Sequence, residues 1–318
     1  MAYDIIGDIH GHADALDALL DGLGYEERGG AWRHPDRTAV FLGDFIDRGP
    51  EQSRVIDAVR RMLDAGSGLA VMGNHEFNAI GYATACEDGW LRARTPRNAH
   101  AHAAFLEAFG LDTPAYREAI AWMGTLPLWL ETDGFRAVHA CWHPGMQEAL
   151  LPHLDAGRRL TGDGLRAVHR RGTVAWDAAE TVLKGLEVDL PEGAGFADVN
   201  GIARSRTRVA WWRDPETYRE AVFDSFVGPD VLERLSDEPL PSSLVLRYDG
   251  DKPVFFGHYW MQGEPRLVSD EGMRVCLDWS VAKDGYLCAY TWDGEPRPDP
   301  ANLTWVRPGP RDTFRAAC

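Results

Sequence analysis

Three apolar runs open the chain, "YDIIG" (3–7), "TAVFLG" (38–43) and "LAVMG" (69–73), and each closes on a glycine. Continuous apolar runs of this length predict strands covered on both faces rather than half-exposed ones. Between them lie two stretches of helical period. Residues 12–23 set Leu16, Leu19, Leu20 and Leu23 on one face, and residues 50–65, opened by Pro50, do the same with Val55, Ile56, Val59, Met62 and Leu63. Strand, helix, strand, helix, strand predicts a parallel sheet with right-handed crossovers, whose ligands bind beyond the carboxyl ends of the strands.

The pattern is weaker beyond. Residues 98–124 read as helical, and 128–131 and 135–140 as strands. Residues 145–210 are rich in Gly, Asp and Arg without a clear period and read as a variable insert. "SSLVLRY" (242–248), "PVFFGH" (253–258), "RVCLDW" (274–279) and "YLCAYTW" (286–292) predict a second, more antiparallel set of strands. The tail 294–318, with four prolines before Gly309, is expected to wrap the surface. With no internal repeat and no low-complexity linker, 1–318 reads as one α/β domain.

Composition narrows the function classes. A 45% hydrophobic and 26% charged chain is that of an ordinary globular protein, without an apolar run long enough to cross a bilayer. The start has no basic leader pattern, and five scattered cysteines without Cys-x-x-Cys argue against a disulfide framework or a thiolate zinc site. Both features fit a reducing cytoplasm. A net charge of −16 opposes extended nucleic acid as a partner. A small phosphorylated substrate needs only a locally cationic site.

The chemistry gathers at the strand ends. Asp8 and His10 follow the first apolar run, Asp44, Asp47 and Arg48 the second, and Asn74, His75 and Glu76 the third. His139 and His258 follow later ones. Carboxylates, imidazoles and an amide oxygen without sulfur suit Mn²⁺, Fe²⁺, Co²⁺ or Zn²⁺ better than Ca²⁺ or Cu(I). The donors are too many for one ion, and Asp44, leading the central motif, is placed to bridge two.

The ordered motifs "GDIHGH", "GDFIDRGP", "GNHE", "VHA" and "GH" span residues 7 to 258. They resemble the calcineurin-like metallophosphoesterase family, in particular its phosphoprotein phosphatase and bacterial diadenosine tetraphosphatase-like branch. The resemblance implies a two-sheet β-sandwich flanked by helices and two divalent ions, Mn²⁺ foremost, with Fe, Zn, Co or Ni as alternatives. It implies Asp8 and His10 on one ion, Asp44 bridging, and Asn74, His139 and His258 on the other. It also implies hydrolysis of phosphate esters or anhydrides by in-line attack of a hydroxide held between the ions. His75 would protonate the leaving oxygen, Asp47 would orient His75, and Arg48 would grip the phosphoryl group. "WWRDP" resembles the family's Trp-x-Arg-Asp/Glu segment and implies a second clamp at Arg213. Two positions depart from the pattern: Trp260 stands where many relatives carry a second metal-binding histidine, and Cys141 where glycine is frequent.

Other residues have blander readings. His100 and His102, two apart on a helix, face apart and are expected in solvent without a metal role. His143 could support His139. Trp211 and Trp212 are expected to pack in the core, Cys141 to be a small core residue, and Arg170, Arg171, Arg204, Arg206 and Arg208 to be mostly surface cations. The substrate is expected to be a dinucleoside polyphosphate or another small phosphoester. A Ser/Thr phosphoprotein is the alternative, and a non-catalytic binding module has no need of the His75–Asp47 pair.

Overall fold

The computed structural model describes residues 2–309, except 191, 192, 194, 198–202, 224–228, 236, 249 and 270, together with 315–316. The opening pattern gives β1 (Ala2–Ile6), α1 (Ala13–Gly22), β2 (Arg37–Phe41), α2 (Gln52–Asp64) and β3 (Gly68–Ala70). β2 lies between β1 and β3 and runs parallel to both. α1 buries Leu16, Leu19 and Leu20, and α2 buries Val55, Ile56, Val59 and Met62, so each helix covers the sheet with its predicted stripe.

A short helix, α3 (Asn74–Ala83), starts at the end of the third run. The predicted helical stretch is three helices: α4 (Pro96–Ala101), α5 (Ala103–Phe109) and α6 (Pro114–Met123). β4 (Trp129–Glu131) and β5 (Arg136–Val138) begin a second sheet. The aperiodic insert holds α7 (Pro144–Leu150), α8 (Gly162–Val168), α9 (Val174–Lys184) and the ribbon β6 (Glu187–Asp189) with β7 (Arg206–Arg208). α7 and α8, of seven residues each, are too short to show a period, and the buried face of α9 is built largely of alanines, Ala175, Ala178 and Ala179, which mark it weakly.

Four expectations need correction. β8 (Val254–Phe256) pairs parallel with β5 and with β9 (Arg274–Cys276), so the second sheet, in the order β9–β8–β5–β4, is mostly parallel. "RVCLDW" divides: its second half is β10 (Asp278–Trp279), which joins β11 (Tyr286–Trp292), and β11 runs antiparallel to β1 in the first sheet. "SSLVLRY" has a 3-10 turn at Ser242–Leu244 and no strand among its described residues. Its Leu244, Val245, Leu246 and Tyr248 pack on the core without joining a ladder. The tail is not all surface, because Leu303–Val306 forms a buried strand on β11; residues 310–314, 317 and Cys318 lie outside the described residues. One continuous apolar cluster links Ile5 to Val306 through both sheets. Among the described residues no helix is long and apolar enough to cross a membrane.

Candidate metal centre

The carboxyl ends of β1, β2, β3, β5 and β8 open into tight turns that bring the polar clusters together. Six residues there, His10, Asp44, Asp47, Arg48, His258 and Trp260, hold positive φ between 46° and 73°. Left-handed backbone at side-chain-bearing residues is costly and persists where packing over-determines it. Here it swings consecutive side chains toward one point. Close approach does the rest: a Cβ on Gly43 would lie 2.4 Å from the Gly73 nitrogen, and one on Gly257 2.0 Å from Asp8 Oδ1. Glu76, fully buried, ties the second and third turns by accepting the backbone N–H groups of Asp44 (2.8 Å), Phe45 (2.8 Å) and Gly73 (2.9 Å).

Asp44 is the hub. His10 Nε2 lies 3.6 Å from its Oδ2, His139 Nε2 3.4 Å from its Oδ1, and His75 Nε2 4.0 Å from its Oδ2. Two donor groups share it: His10, Asp44 and His75, and Asp44, His139 and His258, with the donor atoms of each group within 4.8 Å of one another. Asn74 Oδ1 joins the second, 3.0 Å from His139 Nε2 and 2.6 Å from His258 Nδ1. Asp8 ties the first turn to the last, its Oδ2 accepting the His258 backbone N–H at 3.1 Å.

The donor set fits divalent cations on evidence of its own. His10 Nδ1 donates to the Ile46 carbonyl at 3.0 Å and His139 Nδ1 to the Leu42 carbonyl at 2.8 Å. Each bond fixes the tautomer, leaving a bare Nε2 lone pair aimed at carboxylate and amide oxygens, as metal-binding histidines are held. Asp8 Oδ1, His10 Nε2 and His258 Nε2 are buried without a hydrogen-bond partner. Burial, then the charges of Asp278 and Asp44, push the Asp8 carboxyl well up. Burial, then Arg48 for His10 and Arg208 for His258, keeps those imidazoles neutral. Burial also opposes the Asp44 charge, but it is outweighed and the carboxyl is held low, with His75 the neighbouring imidazole that carries charge and its backbone N–H a donor to Asp44. Lone pairs facing lone pairs in a buried site are stable only with positive charge between them.

Beside this cluster stands a relay. His75 Nδ1 donates to Asp47 Oδ2 at 2.6 Å, and its Nε2 turns toward Asp44 and lies 3.4 Å from an Arg48 Nη. Burial works to lower the His75 pKa; the Asp44 charge and the Asp47 hydrogen bond outweigh it and raise it. The Arg48 guanidinium carbon lies over the Trp260 ring, 3.6 Å from its centroid.

The family model described as calcineurin-like phosphoesterase matches residues 1–259. The chain belongs to that family. A symmetrical bis(5′-nucleosyl)-tetraphosphatase of Aromatoleum aromaticum is 32% identical to this calcineurin-like chain over 289 residues, 88% of the chain and 84% of the relative. An asymmetrical bis(5′-nucleosyl)-tetraphosphatase of Halalkalibacterium halodurans is 47% identical over 76 residues, 24% of this chain and 31% of the relative. The chain thus matches about a third of the length of that second relative. A crystal structure of a cold-active protein-tyrosine phosphatase of a psychrophile Shewanella species superposes with a TM-score of 0.49 at 17% identity, covering 99% of this chain and 80% of that one.

Some residues of this calcineurin-like phosphoesterase family member fall where the pattern did not put them. His102 is buried, not solvated: where α4 breaks from α5 its Nδ1 donates to Asp47 Oδ1 at 2.9 Å, while His100 is exposed. The two do face apart, but one faces the relay. Asp278, also buried beside Asp8, accepts the backbone N–H of Trp260 at 2.8 Å and of Ser280 at 3.0 Å; its sequence "LDW" carries no motif. Arg213 is exposed, over the Phe223 ring at 5.6 Å, whereas the cavity at Arg48 is lined by Arg204, Arg206 and Arg208. Its neighbour Asp214 forms a two-pronged pair with the buried Arg274 at 2.5 and 2.6 Å. His143 caps α7, accepting the Met146 N–H at 3.4 Å. Trp211 and Trp212 are fully buried, and burial pushes the Cys141 thiol up, so these are core residues.

Proposed function

We propose that the chain is a two-metal phosphoesterase acting on small phosphate esters and anhydrides, dinucleoside polyphosphates foremost. The observation that carries this reading is the convergence of bare histidine lone pairs and carboxylate oxygens on Asp44, next to a histidine whose opposite nitrogen is anchored to a carboxylate. Asp8, His10 and Asp44 would hold one ion, and Asp44, Asn74, His139 and His258 the other. Mn²⁺ suits the set, with Fe, Zn, Co or Ni as substitutes. Such ions supply Lewis acidity toward phosphoryl oxygens and make water a nucleophile at neutral pH.

The protein's own groups do the rest. Arg48 presents a planar pair of donors to the non-bridging oxygens, and Trp260 stacked beneath it stops the guanidinium from turning away. Trp260 therefore has a use at the position where relatives carry a histidine. His75 holds a proton at Nε2, its pKa raised, and delivers it to the departing oxygen. Asp47, accepting the Nδ1–H, stabilises the doubly protonated ring, and His102 keeps Asp47 from rotating. Arg208, on the wall of the Arg48 cavity, takes the second clamp role in place of Arg213.

The relatives' substrates and the cationic cavity support a small polyanion over a phosphoprotein. The free thiols of Cys86, Cys141, Cys276 and Cys288 suit a reducing compartment such as the cytoplasm. The test is a panel of p-nitrophenyl phosphate, a Ser/Thr phosphopeptide and a dinucleoside tetraphosphate, assayed with Mn²⁺. Highest kcat/KM on the tetraphosphate is expected; preference for the phosphopeptide would reverse the substrate reading, and no turnover of any would end it.

A further inference from the structure

A second cavity, of about 740 Å³, opens beside the metal centre. It begins at Phe77 and Asn78, on the helix that carries His75, and shares Glu187 and Arg204 with the cavity at Arg48. Its size is that of a pocket for a nucleotide-sized ligand. Its walls come from the stretches whose role the sequence left open: Trp90, Arg92 and Arg97 after α3, and Arg171, Trp176 and Lys184 around α9.

Charge is what distinguishes it. Five cations, Arg92, Arg97, Arg171, Lys184 and Arg204, line a cavity with two carboxylates, in a chain of net charge −16. Both carboxylates are engaged, Glu180 with Lys184 and Glu187 with Arg206. Arg92, Arg97 and Arg171 form none of the described ion pairs, and His169 is held neutral, its pKa brought by burial to about 4. Burial works against the charge of Arg92; Glu180 offsets part of this, and repulsion from Arg171 and Arg97 adds to it, a cost that a bound anion would reduce. The two indoles in the wall hold cations in place: Arg94 lies over the Trp90 ring at 3.3 Å from its centroid, and Arg171 and Lys184 over the Trp176 ring at 5.3 and 5.8 Å.

We propose that this cavity binds the part of the substrate beyond the scissile phosphate: the remaining phosphates of a nucleoside polyphosphate. The phosphate chain runs from Arg48 past Arg204 to Arg92 and Arg171. The proposal rests on the phosphoesterase reading and names its specificity site.

The test pairs Arg92→Ala with Arg171→Ala in the full-length protein. p-Nitrophenyl phosphate fills only the Arg48 end, so its turnover should stay within about twofold and reports that the variant is folded. KM for the dinucleoside tetraphosphate should rise roughly tenfold or more, since charge-assisted contacts to phosphate are the strong ones. Equal changes on both substrates, or none on the tetraphosphate, would overturn the proposal. So would a loss confined to the phosphopeptide. Binding of ATP in metal-free buffer, followed by calorimetry, separates this from the parent reading: it should weaken about tenfold or more in the double variant even if no substrate is turned over. Equal ATP affinity in both proteins overturns the subsite whatever the turnover shows.

Discussion

His102→Phe removes one hydrogen bond from the relay while leaving a ring to stack on Phe105, with which His102 packs at 4.8 Å. In the native protein Asp47, itself buried, accepts from His75 at 2.6 Å and from His102 at 2.9 Å. Burial would raise its carboxyl; the bonds from His102 and His75 outweigh this and hold it far below the usual carboxylate range. A hydrogen bond to a charged group is worth about 1.5–3 kcal/mol, and a buried oxygen stripped of its donor forfeits that amount. Without it the carboxylate can rotate, and His75 loses its fixed aim. Turnover of substrates with basic leaving groups should fall roughly 10- to 100-fold, the rate equivalent of that energy. p-Nitrophenyl phosphate, whose leaving group departs with little protonation, should lose less than threefold. Stability should fall by about 1.5–3 kcal/mol in urea at pH 7. Because Asp47 is depressed in the folded state, its stabilisation is complete above the ordinary carboxylate range, near pH 4, and is lost as pH falls through the folded value. The gap between wild type and variant should therefore be flat from pH 8 to about 5 and narrow below. A variant with unchanged rates on both substrates would refute the positioning role.

His75→Asn should keep both ions and lower turnover of basic-leaving-group esters by about 10²–10⁴, with p-nitrophenyl phosphate spared; loss of an ion would make His75 a ligand instead. Arg48→Ala should cost about 1.5–3 kcal/mol in kcat/KM, Arg48→Lys should restore little of it, and Trp260→Ala should reproduce part of the loss by freeing the guanidinium. Steady-state kinetics on one substrate checks all three. Glu76→Gln points an amide donor at backbone donors and should lower stability by about 1–3 kcal/mol in denaturant titration; an unchanged midpoint would show that the three accepted N–H bonds are dispensable.

Sequence pattern was a good guide wherever one residue's surroundings are set by its own segment. The three apolar runs had to be buried strands, and the donors at their ends had to meet because parallel strands end on the same side. The misses are tertiary. His102 carries no motif, and on an unbroken helix its neighbour His100 suggests solvent; only the break between α4 and α5 turns it inward. Asp278 ends an apolar run as Asp44 does, a signal that could have been read, but it was hidden inside a strand that the fold divides between two sheets. "SSLVLRY" has strand composition, yet β-propensity reports fit to a half-buried surface, and here that surface is met without a ladder. Arg208 could not be told from its neighbours in an arginine-rich stretch, because only the β6–β7 ribbon brings it to the cavity of Arg48.

The central claim is that Asp44 gathers two ions and that catalysis depends on them. Metal content and p-nitrophenyl phosphate turnover, measured together on protein stripped by chelator and titrated with Mn²⁺, address it directly. Activity should vanish on stripping and return as the content approaches two ions per chain. In Asp44→Asn the content should fall and turnover should not recover at saturating Mn²⁺. Undiminished turnover in stripped protein, or an Asp44→Asn variant that keeps both ions and its rate, would contradict the account.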